Sequence, residues 1–322
     1  MCYNGLCRIA DLSRRRRTGK LLTVRRICTV TEVIFMKILV VGLGLIGGSF
    51  CKAIKKYTTH HMIGMDCDDA TLEMAIAMES VDEVIPMDRP HLMSRADLVI
   101  VAIPPHKIVE FILENKDNFR KGAVVTDVCG VKKHIVDSLT EPLAETGVEF
   151  IGSHPMAGTE FSGFSFSLAD MFVNASYLIT PTEKSDPAKV EILRRLAYDI
   201  GFKTVIETTA ERHDQSIAYT SQLAHVVSNS YIQSPTLAKE KGFSAGSFLD
   251  MTRVARLDEN TWCDLFLLNR ENLLFEIDQL MEHISEHRDA LFRGDREKIR
   301  EMLRKGRILK QHNAAEKKMI YE

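Results

Sequence analysis

The residues with the clearest chemical meaning lie in two short runs. The first is Val41-Gly42-Leu43-Gly44-Leu45-Ile46-Gly47, which closes an apolar stretch and opens an amphipathic one. Glycines at this spacing turn the chain tightly at Gly42, let backbone approach an anion at Gly44, and let strand and helix close up at Gly47. The helix that begins there offers unpaired N–H groups and the positive end of its dipole to a pyrophosphate, and Leu43, Leu45 and Ile46 are expected cofactor contacts with the glycines. Asp66 ends the next apolar stretch, where an acid meets the adenine ribose hydroxyls of a dinucleotide. Cys67-Asp68-Asp69 follow without an arginine, so NAD is expected rather than NADP. Ile103 and Pro104 close a third apolar stretch, whose loop is expected to border the same cleft. The second run is Ile151-Gly152-Ser153-His154-Pro155-Met156-Ala157-Gly158-Thr159-Glu160. It is expected to end a parallel strand, with His154 facing the ligand edge. Neutral imidazole there can take the proton of an alcohol as its hydride leaves.

Strands and helices must hold these groups in place. Residues 38–41, 62–65, 98–103, 123–126 and 148–151 are short, rich in Val and Ile, and followed by Gly, Pro or polar residues. Helix-like stretches separate them, at 46–56, 70–78, 107–115 and 132–141. Continuous apolar strands alternating with helices predict an α/β Rossmann-type domain, with a mostly parallel, doubly wound sheet. Two more strands, 175–180 and 203–207, flank a helix at 187–200. Beyond residue 207 strand signals cease. One helix is predicted over 210–233 and a long one from 260 to about 292, so an all-α domain is expected at 207–322 after an NAD-binding domain at 36–206. Its broad apolar faces predict a homodimer.

Bulk properties narrow the function further. The chain has 322 residues, enough for two domains, and a net charge of -2, which draws it to neither nucleic acid nor a membrane surface. Its 7 cysteines show no paired spacing, which predicts reduced thiols and a cytoplasmic location. No metal site is expected. His283 and His287 lie one helical turn apart without a third ligand and read as a solvated helix face, while His60-His61 reads as a polar loop. The first 35 residues are strongly basic, without the apolar core of a secretory signal. Met36 directly precedes the first strand and is expected to be the native start.

The run from Ser153 to Gly163, Ser-His-Pro-Met-Ala-Gly-Thr-Glu-Phe-Ser-Gly, resembles the signature of prephenate and arogenate dehydrogenases. So do Thr126-Asp127-Val128-Cys129-Gly130-Val131-Lys132, His213-Asp214, Ser221-Gln222-Leu223-Ala224-His225 and Phe248-Leu249-Asp250-Met251-Thr252-Arg253-Val254-Ala255, with Trp262 further on. The resemblance implies NAD-dependent oxidative decarboxylation of prephenate to 4-hydroxyphenylpyruvate, on the route to tyrosine. It implies His154 as proton acceptor, Arg253 gripping a substrate carboxylate with its two-pronged guanidinium, Glu160 pairing with Arg253 or gating the cleft, and His225 in the substrate pocket. Asp214 and Trp262 are weaker candidates, as a helix N-terminal residue and a core anchor. Two departures stand out. Gly130 occupies a position where many relatives carry a serine that assists the histidine, so water, Thr126 or Cys129 must take over or the histidine acts without that partner. Gln222 stands where relatives often have a histidine.

Three alternatives remain at this stage. Arogenate dehydrogenase differs only in an amino for a keto group on the substrate side chain. A 3-hydroxyacid dehydrogenase shares the two-domain plan but resembles this chain in no catalytic lysine helix. A non-catalytic dinucleotide sensor would have no use for His154 and Arg253 together.

Overall fold

The computed structural model describes residues 35–159 and 161–321. The basic N-terminal segment, with the expectation attached to it, lies outside these residues. Strands β1 (Lys37–Val41), β2 (His61–Met65), β3 (Glu83–Val84), β4 (Leu98–Val101), β5 (Val124–Asp127) and β6 (Glu149–Phe150) form one sheet in the order β3-β2-β1-β4-β5-β6. Every pairing in it is parallel. The crossovers are helices α1 (Leu45–Tyr57), α2 (Asp69–Ala77), α3 (Pro105–Glu114) and α4 (Lys133–Ala144). The expected α/β domain followed by an all-helical region is the architecture observed.

The strands are apolar throughout because both faces are covered. Side chains alternate between the faces. Ile38, Val40, Leu98 and Ile100 pack with Phe50 and Ile54 of α1. Leu39, Val41, Val99 and Val101 pack with Ile108 and Ile112 of α3 and with Ile135 and Leu139 of α4.

A second, three-stranded sheet comprises β7 (Gly152–Pro155), β8 (Ser176–Thr180) and β9 (Thr204–Glu207), with α5 (Pro187–Asp199) between the last two. This corrects the sequence expectation for His154. The predicted strand at 148–151 pairs with β5 only at Glu149 and Phe150. The chain then leaves the parallel sheet, and His154 lies in β7, antiparallel to β8 and opposite Leu178. The physical reason is at Asp127, the last residue of β5. Its carboxylate accepts the Ser153 N–H at 3.2 Å, and Lys132 Nζ donates to the Ser153 carbonyl at 2.7 Å. These bonds hold β7 just past the end of β5 rather than in register beside it.

The helical region comprises α6 (Ala210–Ile217), α7 (Leu223–Ile232), α8 (Gly246–Thr252), α9 (Glu259–Leu268), α10 (Arg270–Arg293) and α11 (Arg296–Tyr321). Two predicted helices are interrupted. The stretch 210–233 widens into a π turn at Ala218–Gln222 between α6 and α7, a deviation common at functional sites. The helix expected from 260 to 292 breaks at Asn269, which is buried. Its amide donates to the Asp214 carbonyl at 2.9 Å and to Gln222 Oε1 at 2.8 Å. One side chain thus ties the break to the π turn. Of the expected polar loop His60-His61, only His60 lies in the connection before β2. His60 is buried, with Nδ1 accepting the Met36 N–H, and His61 opens β2 beside Glu83.

On α10, Leu274, Phe275, Met281, Ile284, Leu291 and Phe292 are exposed. An apolar band of this extent marks an interaction surface. Among the described residues no helix is long and apolar enough to cross a membrane. No group of three potential metal ligands occurs among them either, and His283 and His287 are exposed.

Candidate active site

The glycine run forms a tight turn between β1 and α1. Gly42 has φ +86°, and a β-carbon on Gly47 would fall 1.9 Å from the Gly42 carbonyl oxygen. A β-carbon on Gly44, by contrast, would meet nothing within 4 Å. This is the side an anion can approach, facing the N–H groups of Leu45, Ile46 and Gly47 in the first turn, which lack helical acceptors. Asp66, at the end of β2, accepts the Leu43 N–H at 2.6 Å and the Asp68 N–H at 2.9 Å. Its carboxylate is therefore held at the rim of the loop. Ile103 contacts the turn, since its Cγ2 would lie 2.8 Å from a Gly42 β-carbon, and Pro104 caps α3. The residues fit a dinucleotide. Gly47→Ala is expected to open the turn and weaken NAD binding at least about tenfold, as measured by calorimetric titration. Unchanged affinity would contradict this close approach.

A cleft of about 550 Å³ runs from this loop to the helical region. Leu45 and Ile46 of that loop line it, and His154 and Gly130 lie in its wall. His225, Arg253 and Trp262 line the helical side.

His154 does not act alone. Its Nδ1 lies 3.0 Å from Nε2 of His213, whose Nδ1 lies 2.7 Å from Asp214 Oδ1. The carboxylate only accepts, so His213 carries its proton on Nδ1 and accepts at Nε2. His154 must then donate from Nδ1, which leaves the lone pair on Nε2 of a ring that lines the cleft. Burial, helped by His213 and Lys132 nearby, pushes the His154 pKa well below the ordinary histidine range. Burial lowers that of His213 too, against the opposing pull of Asp214. Both rings are thus neutral near pH 7. Asp214 also accepts the N–H groups of Lys132 at 2.7 Å and Lys133 at 2.9 Å. It therefore caps α4 and orients His213 at once.

Behind this relay is a buried ion pair that sequence reasoning did not single out. Lys132 and Asp127 are fully buried and hydrogen-bonded to each other. Asp127 also accepts the Cys129 N–H at 2.9 Å. Ser153 Oγ donates to the Asp127 carbonyl at 2.6 Å and accepts from Tyr177 at 2.6 Å and Thr126 at 2.9 Å. The spacing of an acid at a strand end and a lysine five residues later was the available signal. Thr126 is thereby occupied, and Cys129 is buried with its thiol pKa pushed up to about 12 by desolvation. Neither supplies the hydroxyl that Gly130 lacks.

On the helical side, His225 Nδ1 donates to the Val254 carbonyl at 3.0 Å, and its ring packs at 3.7 Å against Trp262. Burial lowers the His225 pKa, so it too is neutral. Arg253 opens a short 3-10 turn, Arg253–Ala255, after α8. It is exposed and makes no ion pair among the described residues, with Asp250 and Glu259 included. A β-carbon on Gly130 would fall 3.3 Å from Leu265 and 4.0 Å from His154 Cε1. Gly130 is thus beside the imidazole, on the cleft. Glu160 lies outside the described residues.

Residues 50–206 match the nucleotide-binding domain of prephenate dehydrogenase, and residues 209–305 match its dimerization domain. The chain belongs to the prephenate dehydrogenase family. The prephenate dehydrogenase of Bacillus subtilis strain 168 is 31% identical over 273 residues, covering 81% of this chain and 72% of the relative. The crystal structure of prephenate dehydrogenase from A. aeolicus, in complex with hydroxyphenyl propionate and NAD+, aligns with a TM-score of 0.79 at 27% identity. The alignment covers 87% of this chain and 99% of that one. Arogenate dehydrogenase from Synechocystis gives 0.71 at 28% identity, over 88% and 100%. In this member of the prephenate dehydrogenase family, Gln222 is buried, donating to the Leu265 carbonyl at 3.0 Å and accepting from Asn269. Its polar atoms are spent on helix packing.

Proposed function

We propose that this chain oxidises prephenate to 4-hydroxyphenylpyruvate with loss of CO2, using NAD, in tyrosine biosynthesis. The observation that carries the reading is the His154–His213–Asp214 relay, in the wall of a cleft bounded by the glycine loop and by Arg253. Residues 36–206 serve as the NAD-binding domain and 207–322 as the substrate and dimerisation domain. Gly44, Leu45, Ile46 and Gly47 would hold the pyrophosphate, Gly42 and Leu43 shape the turn, with the Leu43 N–H spent on Asp66, Asp66 would meet the adenine ribose, and Ile103 and Pro104 border the dinucleotide cleft.

Bound NAD supplies the hydride acceptor. His154 Nε2 takes the proton of the substrate's C4 hydroxyl as the carbon–hydrogen bond at C4 breaks. The ring carboxylate departs as CO2, and its bonding pair completes the aromatic ring. The same imidazole then returns the proton to the phenol oxygen, so no net proton is released. Loss of CO2 makes the step strongly downhill, so a weakly basic imidazole suffices. His213 and Asp214 keep the lone pair on Nε2 and stabilise the ring while it holds the second proton. Arg253 grips a carboxylate in a two-pronged contact, and His225 with Trp262 forms an apolar wall for the six-membered ring. Gly130 leaves space beside the imidazole, and Glu160 pairs with Arg253 or gates the cleft.

The test is to mix the purified chain with NAD and prephenate and follow NADH absorbance. No NADH would end this reading. Arg253→Ala should raise KM for prephenate about 100-fold or more with a smaller change in kcat. An unaltered KM would remove Arg253 from the site. The homodimer belongs to the same proposal. It is supported by the exposed band on α10 and the match to a dimerization domain, and light scattering should return twice the chain mass. A cytoplasmic location is in keeping with Cys51, Cys67, Cys129 and Cys263 being free.

A further inference from the structure

A second guanidinium lines the cleft, that of Arg256, three residues after Arg253 and directly beyond the short 3-10 turn. It is exposed, and like Arg253 it forms no ion pair or hydrogen bond among the described residues. Two guanidiniums, neither paired with a carboxylate among the described residues, thus share one wall of the cleft with His225 and Trp262. The cleft offers no Asp or Glu among its described lining residues, and its two histidines are held neutral. Among the described lining residues the charge facing a substrate is therefore positive, and Glu160, next in the chain after Thr159, can match at most one of the two guanidiniums.

We infer that Arg256 is a second carboxylate anchor, and that with Arg253 it makes the cleft select a keto-acid substrate over the corresponding amino acid. The inference rests on the proposed function and decides between its two substrates. Both candidates carry a ring carboxylate and a side-chain carboxylate, so two guanidiniums can grip either. They differ at the carbon next to the side-chain carboxylate, which bears a keto oxygen in prephenate and an ammonium in arogenate. A guanidinium bound to that carboxylate brings its charge to within a few ångströms of the ammonium, and no acid among the described lining residues offsets the repulsion. The keto oxygen, an acceptor, suits the same guanidinium. Leu45 and Ile46 of the dinucleotide loop line the same cleft, so the inference assigns Arg256 to the substrate and requires that KM for NAD not depend on it.

The experiment is steady-state kinetics of the full chain with NAD and either substrate, for the wild type, Arg256→Gln and Arg256→Glu. The wild type should favour prephenate at least about tenfold in kcat/KM. Arg256→Gln should raise KM for prephenate about 10- to 100-fold, keep KM for NAD, and shrink that preference. Arg256→Glu should shift it further, towards arogenate. Equal losses on both substrates, no loss, a raised KM for NAD, or a wild type that prefers arogenate would each overturn the inference. A wild type that oxidises neither substrate defeats the proposed function instead. Binding then decides separately, because Trp262 is the only tryptophan and lines this cleft. Quenching of its fluorescence by prephenate but not arogenate, lost in Arg256→Gln, sustains the inference, and quenching independent of Arg256 overturns it.

Discussion

Replacing His154 with asparagine is expected to lower kcat about 1000-fold while leaving NAD affinity within about twofold. The argument runs through the tautomer. Asp214 holds the His213 proton on Nδ1, His213 holds the His154 proton on Nδ1, and so Nε2 of His154 is the free base. Asparagine keeps a donor towards His213 but has no basic nitrogen. Asp214→Asn should act through the same chain. Its amide can donate to His213 Nδ1, which then must protonate Nε2 and push the His154 lone pair onto the wrong nitrogen. The expected signature is a large fall in kcat with little change in KM for prephenate. A His154→Asn enzyme that turns over at the wild-type rate would remove the imidazole from the reaction.

The same depressed pKa sets the pH response. Since His154 stays neutral well below the ordinary histidine value, the acid limb of kcat/KM should lie below about pH 6.5. The stability response follows from proton counting. Below about 6.5 the unfolded chain protonates these histidines, while the folded chain keeps His154 and His213 neutral. The unfolded state then binds more protons, so stability is complete above that pH and declines as pH falls through it. Thermal melts between pH 5 and 8 measure this, and a melting temperature that rose on acidification would contradict it.

Lys132→Met is expected to cost about 3–5 kcal/mol of stability, because it strands the Asp127 carboxylate in a fully buried position. For a chain of this size that is a drop of about 10 °C in melting temperature. The double variant with Asp127→Asn removes the stranded charge and should recover a good part of the loss. Activity should fall with Lys132→Met as well, since its ammonium carries the Ser153 carbonyl, one residue from His154. A melting temperature within about 2 °C of wild type would show that the pair does not brace the site.

How far the sequence reached can be judged from particular residues. The glycine run, Asp66 and the apolar strands were readable because each depends on neighbours in the chain: a turn type, a helix start, a two-residue alternation. His154 was readable as a candidate from its type and its Gly- and Pro-rich setting. Its strand was not, because β7 is placed by Asp127 and Lys132 more than twenty residues earlier. The break at Asn269 was hidden for the same reason. The apolar spacing runs on through it, and only contact with Asp214 and Gln222 stops the helix.

The amino-acid order alone determined a dinucleotide-binding α/β half, a helical half and the chemistry available at their junction, since local periodicity and turn geometry are short-range properties. The tertiary structure decided which nitrogen of His154 is the base, by joining it to His213 across 59 positions. It also decided that Lys132 and Asp127 are buried together, and that Arg256 lies in the cleft beside Arg253. Tautomer, desolvation and pocket charge are properties of what surrounds a group in space, and those surroundings come from parts of the chain that meet only on folding.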